Sequence, residues 1–241
     1  MWNKAAMDEV IDTQQADFIA LSDKIWEFAE MRFQEFRSSE LLIDALTREG
    51  FQVEQAVAGL PTAFVASFGS GGPIIGFLGE YDALAGLSQK AALARKEAVA
   101  PDGNGHGCGH NLLGAGALAA AVAVKRFIAE TGLAGTVRYY GCPGEEGGSG
   151  KAFMARAGVF DALDVALTWH PFGHNGVMSV RTLANFQVYF RFHGRSAHAA
   201  AAPHLGRSAL DAVELMNIGV NYLREHIIPE ARVHYAITNA G

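Results

Sequence analysis

The chain has 241 residues, half of them apolar and 18% charged, and its 19 Lys+Arg against 25 Asp+Glu leave a net charge of −6. A chain of this size and apolarity can bury a core without disulfide staples and has no positive face for a phosphate backbone, so disorder, coiled coil and nucleic-acid binding are poor readings. There is no uninterrupted apolar run of the ~20 residues a membrane span needs. Nor does a positive-then-apolar leader open Met1 to Asp17, and Cys108 and Cys142 alone build no disulfide framework; the expectation is a soluble cytoplasmic protein with neither nucleic-acid nor membrane partners.

From Phe18 to Gly50 the period is helical: Phe18, Leu21, Ile25 and Phe28, then Leu41, Leu42, Ala45 and Leu46, with Gly50 as a C-cap. The period then changes. Ala63 to Phe68 and Ile74 to Leu78 are short apolar runs bounded by Gly and Pro, as buried strands are. Leu112 to Ala129 reads as an Ala-rich helix whose Gly114 and Gly116 allow close approach to a sheet. Thr136 to Tyr140 reads as a strand, Lys151 to Ala157 as a short helix and Asp164 to Trp169 as a strand. Strands alternating with helices predict an α/β fold with a mostly parallel sheet. At about Val180 the pattern shifts. Phe186, Val188, Phe190 and Phe192 alternate with polar residues, a helix carries Ala209, Val213, Met216, Val220 and Leu223 on one stripe, and Val233 to Thr238 begins another strand. These mark the start of a second, smaller α+β domain over residues 181–241, after a first domain over 1–180, and the sequence reads as truncated inside it.

The 28 glycines, about 12% of the chain against a usual ~7%, cluster at 69–72, 103–109 and 144–150. Polar signals follow the predicted strands: Glu80-Tyr81-Asp82, Cys108-Gly109-His110-Asn111 opening the Leu112 helix, Glu145-Glu146, and His170. Loops beyond the carboxyl ends of parallel strands share one rim, so these residues are expected to converge. A thiol, two imidazoles and carboxylates suit zinc, manganese or cobalt and offer too few oxygens for calcium. The start of a helix favours a Cys108 thiolate. Paired glutamates on a Gly-rich turn make sense when one binds metal and the other carries a proton. Taken singly, each such residue is more often a core or surface side chain, and His106, His174, His193, His204, His226 and His234 are read that way. Gly147 to Lys151 looks like a P-loop but lacks its first Gly and its Ser/Thr, and the glycines at 114 and 116 lie inside a helix rather than before one. A Cys108 nucleophile acting with a histidine is the rival chemistry.

Five stretches carry a resemblance: Gly79 to Leu84, Gly105 to Asn111, Pro143 to Gly147, Trp169-His170-Pro171 and Gly194 to Ala199. Their order and spacing resemble the aminoacylase/carboxypeptidase family of dinuclear metallopeptidases, in the amidohydrolase branch that includes aminobenzoyl-glutamate hydrolases. The resemblance implies a three-layer α/β/α catalytic domain of zinc-peptidase type with an inserted lid that mediates dimerisation. It implies two divalent metal ions, zinc or manganese, held by Cys108, His110, Glu146 and His170. Glu145 would be the general base, His198 of the lid the stabiliser of the oxyanion, and Asp82 a support of the metal shell. The branch usually has Asp where Asn111 stands, so a charge beside the shell is missing, and a fifth metal-binding His would lie beyond Gly241. The implied reaction is hydrolysis of an amide in a small N-acyl amino acid or aminobenzoyl-glutamate-like substrate, by a water whose pKa the metals lower toward ~7. A homodimer or heterodimer through the lid is implied as well. A non-catalytic metal-binding or regulatory subunit paired with an active homologue is the alternative. Arg181, Arg191, Arg195 and Arg207 are candidates for a substrate carboxylate.

Overall fold

The structure, a computed structural model, describes residues 4–179 and 181–241. The chain forms two units, Met1–Asn175 and Gly176–Gly241; the boundary expected at Val180 falls on a residue outside the described ones.

The first unit opens with three helices, α1 (Lys4–Thr13), α2 (Gln15–Phe28) and α3 (Phe36–Arg48). Ala29 in the left-handed region closes α2, and the Glu30 carboxylate accepts the Arg37 and Ser38 N–H groups at 3.1 and 2.9 Å, satisfying orphan donors at the start of α3. Strands β1 (Gln52–Gln55), β2 (Phe64–Ser70) and β3 (Ile74–Gly79) follow. After a long loop come α4 (His110–Thr131), β4 (Gly135–Gly141), a broken helical turn α5 (Glu145–Gly148), α6 (Gly150–Arg156) and β5 (Val165–Leu167).

The sheet runs β1-β2-β4-β3-β5. Strands β4, β3 and β5 are parallel, whereas β1 and β2 join antiparallel, so the α/β sheet is mixed, with its parallel part confined to three strands. Side chains alternate between two cores. Phe64, Ala66, Val137 and Tyr139 pack with α2, α3 and α4, while Val65, Tyr140 and Cys142 pack with Met154 of α6 on the other face. By length and composition alone α4 could cross a membrane. Lys125 and Arg126 interrupt its apolar run, and here it is the central core helix, with Leu113, Leu118, Ala121 and Val122 buried. Each such large side chain contributes about 1.5–3 kcal/mol. Gly114 is required at its crossing with β3: a Cβ there would stand 2.7 Å from the Glu80 carbonyl oxygen.

The second unit contains one α-helix among its described residues, α7 (Ala209–Leu223), started by Ser208, whose hydroxyl accepts the Asp211 N–H at 3.0 Å. The expected strands over 186–192 and 233–238 do not form. Phe186, Val188 and Phe190 are exposed, and the reason is physical: alternation makes a strand only where a neighbour takes its backbone N–H and C=O groups. Further on, Arg195 and Arg207 exchange two backbone hydrogen bonds of 2.8 and 2.9 Å, closing the loop between them.

Gly114→Val should therefore lower stability by about 1–3 kcal/mol through overpacking, read as a drop in the urea midpoint. A wild-type midpoint would show that α4 does not rest on the end of β3.

Candidate metal centre

The parallel strands β3, β4 and β5 deliver their following segments to one rim of the sheet. Glu80 to Asp82 leave β3, the Glu145–Gly148 turn follows β4, and His170 follows β5. The long loop returns to the same rim because Leu84 and Gly105 close its neck with two backbone hydrogen bonds of 3.0 Å. That places Cys108 and His110 beside the strand they left.

His110 is the hub. Its Nδ1 lies 3.0 Å from Asp82 Oδ1 and 3.1 Å from the Asp82 carbonyl oxygen. Both are acceptors, so Nδ1 carries a proton, and Nε2 presents a lone pair whenever the ring is neutral. Nε2 faces Glu80 Oε2 at 3.0 Å and Glu145 Oε2 at 3.9 Å. His170 Nε2 lies 3.4 Å from the same Glu80 oxygen, and its Nδ1 lies 3.9 Å from Cys108 Sγ. Donor atoms of Cys108, His110 and His170 thus fall within 4.8 Å of one another, as do those of Glu80, His110 and Glu145. The Glu146 N–H donates to Asp82 Oδ2 at 2.8 Å, which brings this residue to the same rim.

His110 and Glu80 are both buried, and among the described residues neither His110 Nε2 nor Glu80 Oε2 has an aligned hydrogen-bond partner. Two acceptors facing each other in a dry pocket need a positive species between them, a proton or a metal ion. Burial alone would raise the Glu80 carboxyl, but the neighbouring His110 ring and the Lys151 ammonium outweigh it and hold Glu80 at about 2. Burial alone would lower His110; Asp82 and Glu80 outweigh that and push it up to about 11. Burial raises the Cys108 thiol, which His110 only partly offsets, and Glu146 adds to the rise. Burial thus opposes the thiolate expected from the start of α4. A soft cation would supply what the thiolate lacks. The donor set fits a divalent transition-metal ion.

Cys108, His110, Glu145, Glu146, His170 and Asp82 therefore share one rim. Asn111 does not turn to it: its amide donates to Ser22 Oγ of α2 at 2.9 Å. His198 lies in the second unit, where its Nδ1 accepts the Ala200 and Ala201 N–H groups at 3.2 and 3.1 Å. His106 is buried, with Nε2 3.0 Å from the Ile25 carbonyl oxygen. The sequence reading expected Glu80 at this rim but gave it no role, and it missed Lys151. Glu80 stands two residues before Asp82, a spacing that puts both on one side of an extended segment. Lys151, which pairs with Glu80, carried no signal beyond its false P-loop. Glu35 is a third buried acid nearby, accepting the Gly144 N–H at 2.8 Å and the Thr62 hydroxyl at 3.0 Å. Burial pushes it up to about 7, against the pull of its backbone hydrogen bonds.

The sequence profile of Peptidase family M20/M25/M40 matches residues 76–233. The chain is 59% identical over 98% of its length to a p-aminobenzoyl-glutamate hydrolase subunit of Escherichia coli (strain K12), covering 49% of that protein. It is 34% identical over 97% of its length to Xaa-Arg dipeptidase of Mus musculus, covering 53% of it. The chain spans about half the length of the curated relatives it matches. A crystal structure of a dinuclear metal-binding peptidase of the M20 family from Bacillus subtilis superposes with TM-score 0.52 at 25% identity, over 68% of this chain and 43% of that one.

Because Glu35 sits at about 7 in the fold against an ordinary 4.5, the folded chain holds its proton where the unfolded chain has lost it. Its contribution is present below 4.5 and lost as pH rises through 7. Glu35→Gln should flatten that decline in a pH series of denaturation midpoints; an unchanged slope would mean the carboxyl titrates normally.

Proposed function

Because the chain belongs to peptidase family M20/M25/M40, we propose that it carries the metal centre of an amidohydrolase acting on small N-acyl amino acids or aminobenzoyl-glutamate-like compounds. The observation that carries this reading is the gathering of Cys108, His110 and His170, and of Glu80, His110 and Glu145, within 4.8 Å. We assign Cys108, His110, Glu146 and His170 as ligands of two divalent cations, zinc or manganese. When bound, the cations would supply a lowered water pKa and positive charge for the scissile carbonyl.

The chain's own residues supply the rest. Glu145, half-exposed at 43% and within 3.9 Å of His110, accepts the proton of the attacking water and passes it to the departing amine. Asp82 holds the His110 ring so that Nε2 faces inward. His198 donates to the developing oxyanion; its occupied Nδ1 leaves the ring proton on Nε2. The relative that is a hydrolase subunit supports a homodimer or heterodimer. The exposed Leu215, Ile218 and Tyr222 of α7 suit a contact surface, and the two free cysteines suit a reducing cytoplasm. That same relative also supports the second reading, a non-catalytic metal-binding or regulatory subunit. Turnover by the purified protein without a partner would exclude it.

In the enzyme containing this chain, chelation should abolish hydrolysis of aminobenzoyl-glutamate or an N-acyl amino acid, and added zinc or manganese should restore it. Glu145→Gln should cut turnover about 100-fold or more with bound metal unchanged. Activity that ignores the chelator yet dies on alkylation of Cys108 would replace this reading with a thiol hydrolase.

A further inference from the structure

Glu35 takes no part in the chemistry just described, yet it is a fully buried acid. Such burial is costly unless the carboxylate has fixed partners. It occupies the N-cap position of α3, but its side chain does not cap that helix. Glu30 does so instead, through the Arg37 and Ser38 N–H groups. The Glu35 carboxylate points the other way. Oε1 accepts the Gly144 N–H at 2.8 Å and Oε2 accepts the Thr62 hydroxyl at 3.0 Å. The Thr62 carbonyl in turn accepts the Tyr81 hydroxyl at 2.5 Å. Tyr81 stands between Glu80 and Asp82, and Gly144 directly precedes Glu145. One buried carboxylate therefore ties together the two acidic arms of the rim.

The arm after β4 needs such a tie. Gly144 and Gly147 have φ of +61° and +69°, Glu146 leaves helical geometry at ψ 89°, and Ser149, which is not a glycine, has φ +57°. Backbone in such sparsely populated regions persists where its surroundings dictate it. The segment ending at Glu35 meets it at two further points. Phe33, itself at φ +60°, lays its ring where a Cβ on Gly144 or Gly148 would come within 2.7 Å. Arg32 Nη1 donates to the Glu146 carbonyl at 3.2 Å. A bulky residue in the left-handed region is uncommon and persists where its surroundings dictate it.

We propose that Glu35 is a positioning residue: through the Gly144 N–H and Thr62 it locks the Glu145–Glu146 turn against the Glu80–Asp82 segment. The consequence for metal binding rests on the reading above, while the locking of the turn does not.

The test is amide hydrogen exchange of the whole chain, followed at Gly144 and Glu146, with zinc and manganese affinity measured in parallel. Above pH 7, where the carboxylate is charged, Glu35→Leu should speed exchange at those two amides about tenfold or more, the order of one hydrogen bond to a charged acceptor. Exchange in α4 and β4 should stay at wild-type rates, and metal affinity should fall by a similar factor. Glu35→Gln, which can accept from Gly144 and donate to Thr62, should restore both. Since removing a buried acid threatens folding, Thr62→Val repeats the test more mildly by stripping the other support, with a smaller rise at the same amides. Unchanged exchange at Gly144 and Glu146, a uniform rise across the sheet, or failure of Glu35→Gln to rescue would overturn the proposal. Absence of metal binding in the wild type would sink the metal reading instead, and the exchange result would still decide the role of Glu35.

Discussion

The carboxylate of Asp82 is the constraint on which the rim depends. One oxygen fixes the proton of His110 on Nδ1, and the other holds the Glu146 N–H. A single buried acid thereby sets the tautomer of the hub histidine and the start of the Glu146 arm. The segment carrying it leaves the end of β3, α4 crosses that end at a glycine, and the turn after β4 closes over it. Sheet register, helix crossing and ring orientation are thus one geometric problem. The strand end supplies the acid, the helix supplies the imidazole, and the absence of a Cβ at Gly114 lets them meet.

Charge explains why the arrangement calls for cations. Glu80, Asp82, Glu145 and Glu146 surround two imidazoles, a thiol and one ammonium, Lys151. Around the buried Glu80, Asp82 and His110 that balance leaves negative charge and lone pairs without counterparts, while Cys108, Glu145 and His170 reach solvent. The protein's own groups partly resolve this by protonating His110 and pairing Lys151 with Glu80. Divalent ions would resolve it more completely, taking the Nε2 lone pair and stabilising the Cys108 thiolate that burial opposes.

Much of this was legible in the sequence. Short apolar runs bounded by glycine and proline became β2, β3 and β4, and the Ala-rich stretch became α4, because local pattern and burial agree in a core. The convergence of strand-end residues followed from parallel βαβ logic. Strand order was not legible: nothing in β1 or β2 announces that they pair antiparallel, since that depends on how the turn between them folds. The alternation from Phe186 to Phe192 was misread because pattern alone cannot supply a neighbouring strand. Lys151 and Glu35 were missed for a related reason. Their partners, Glu80 and Gly144, lie on other elements, so only the folded chain shows what they hold. Asn111 was placed by analogy beside the metal shell, and its amide serves the α2–α4 contact instead.

X-ray absorption at the metal edge tests the central claim most directly. The metal-loaded protein should show one sulfur neighbour at about 2.3 Å among nitrogen and oxygen neighbours at about 2.0–2.1 Å if zinc is bound, and Cys108→Ser should remove the sulfur shell alone. A spectrum built only from oxygen neighbours, unaltered by Cys108→Ser, would contradict the account.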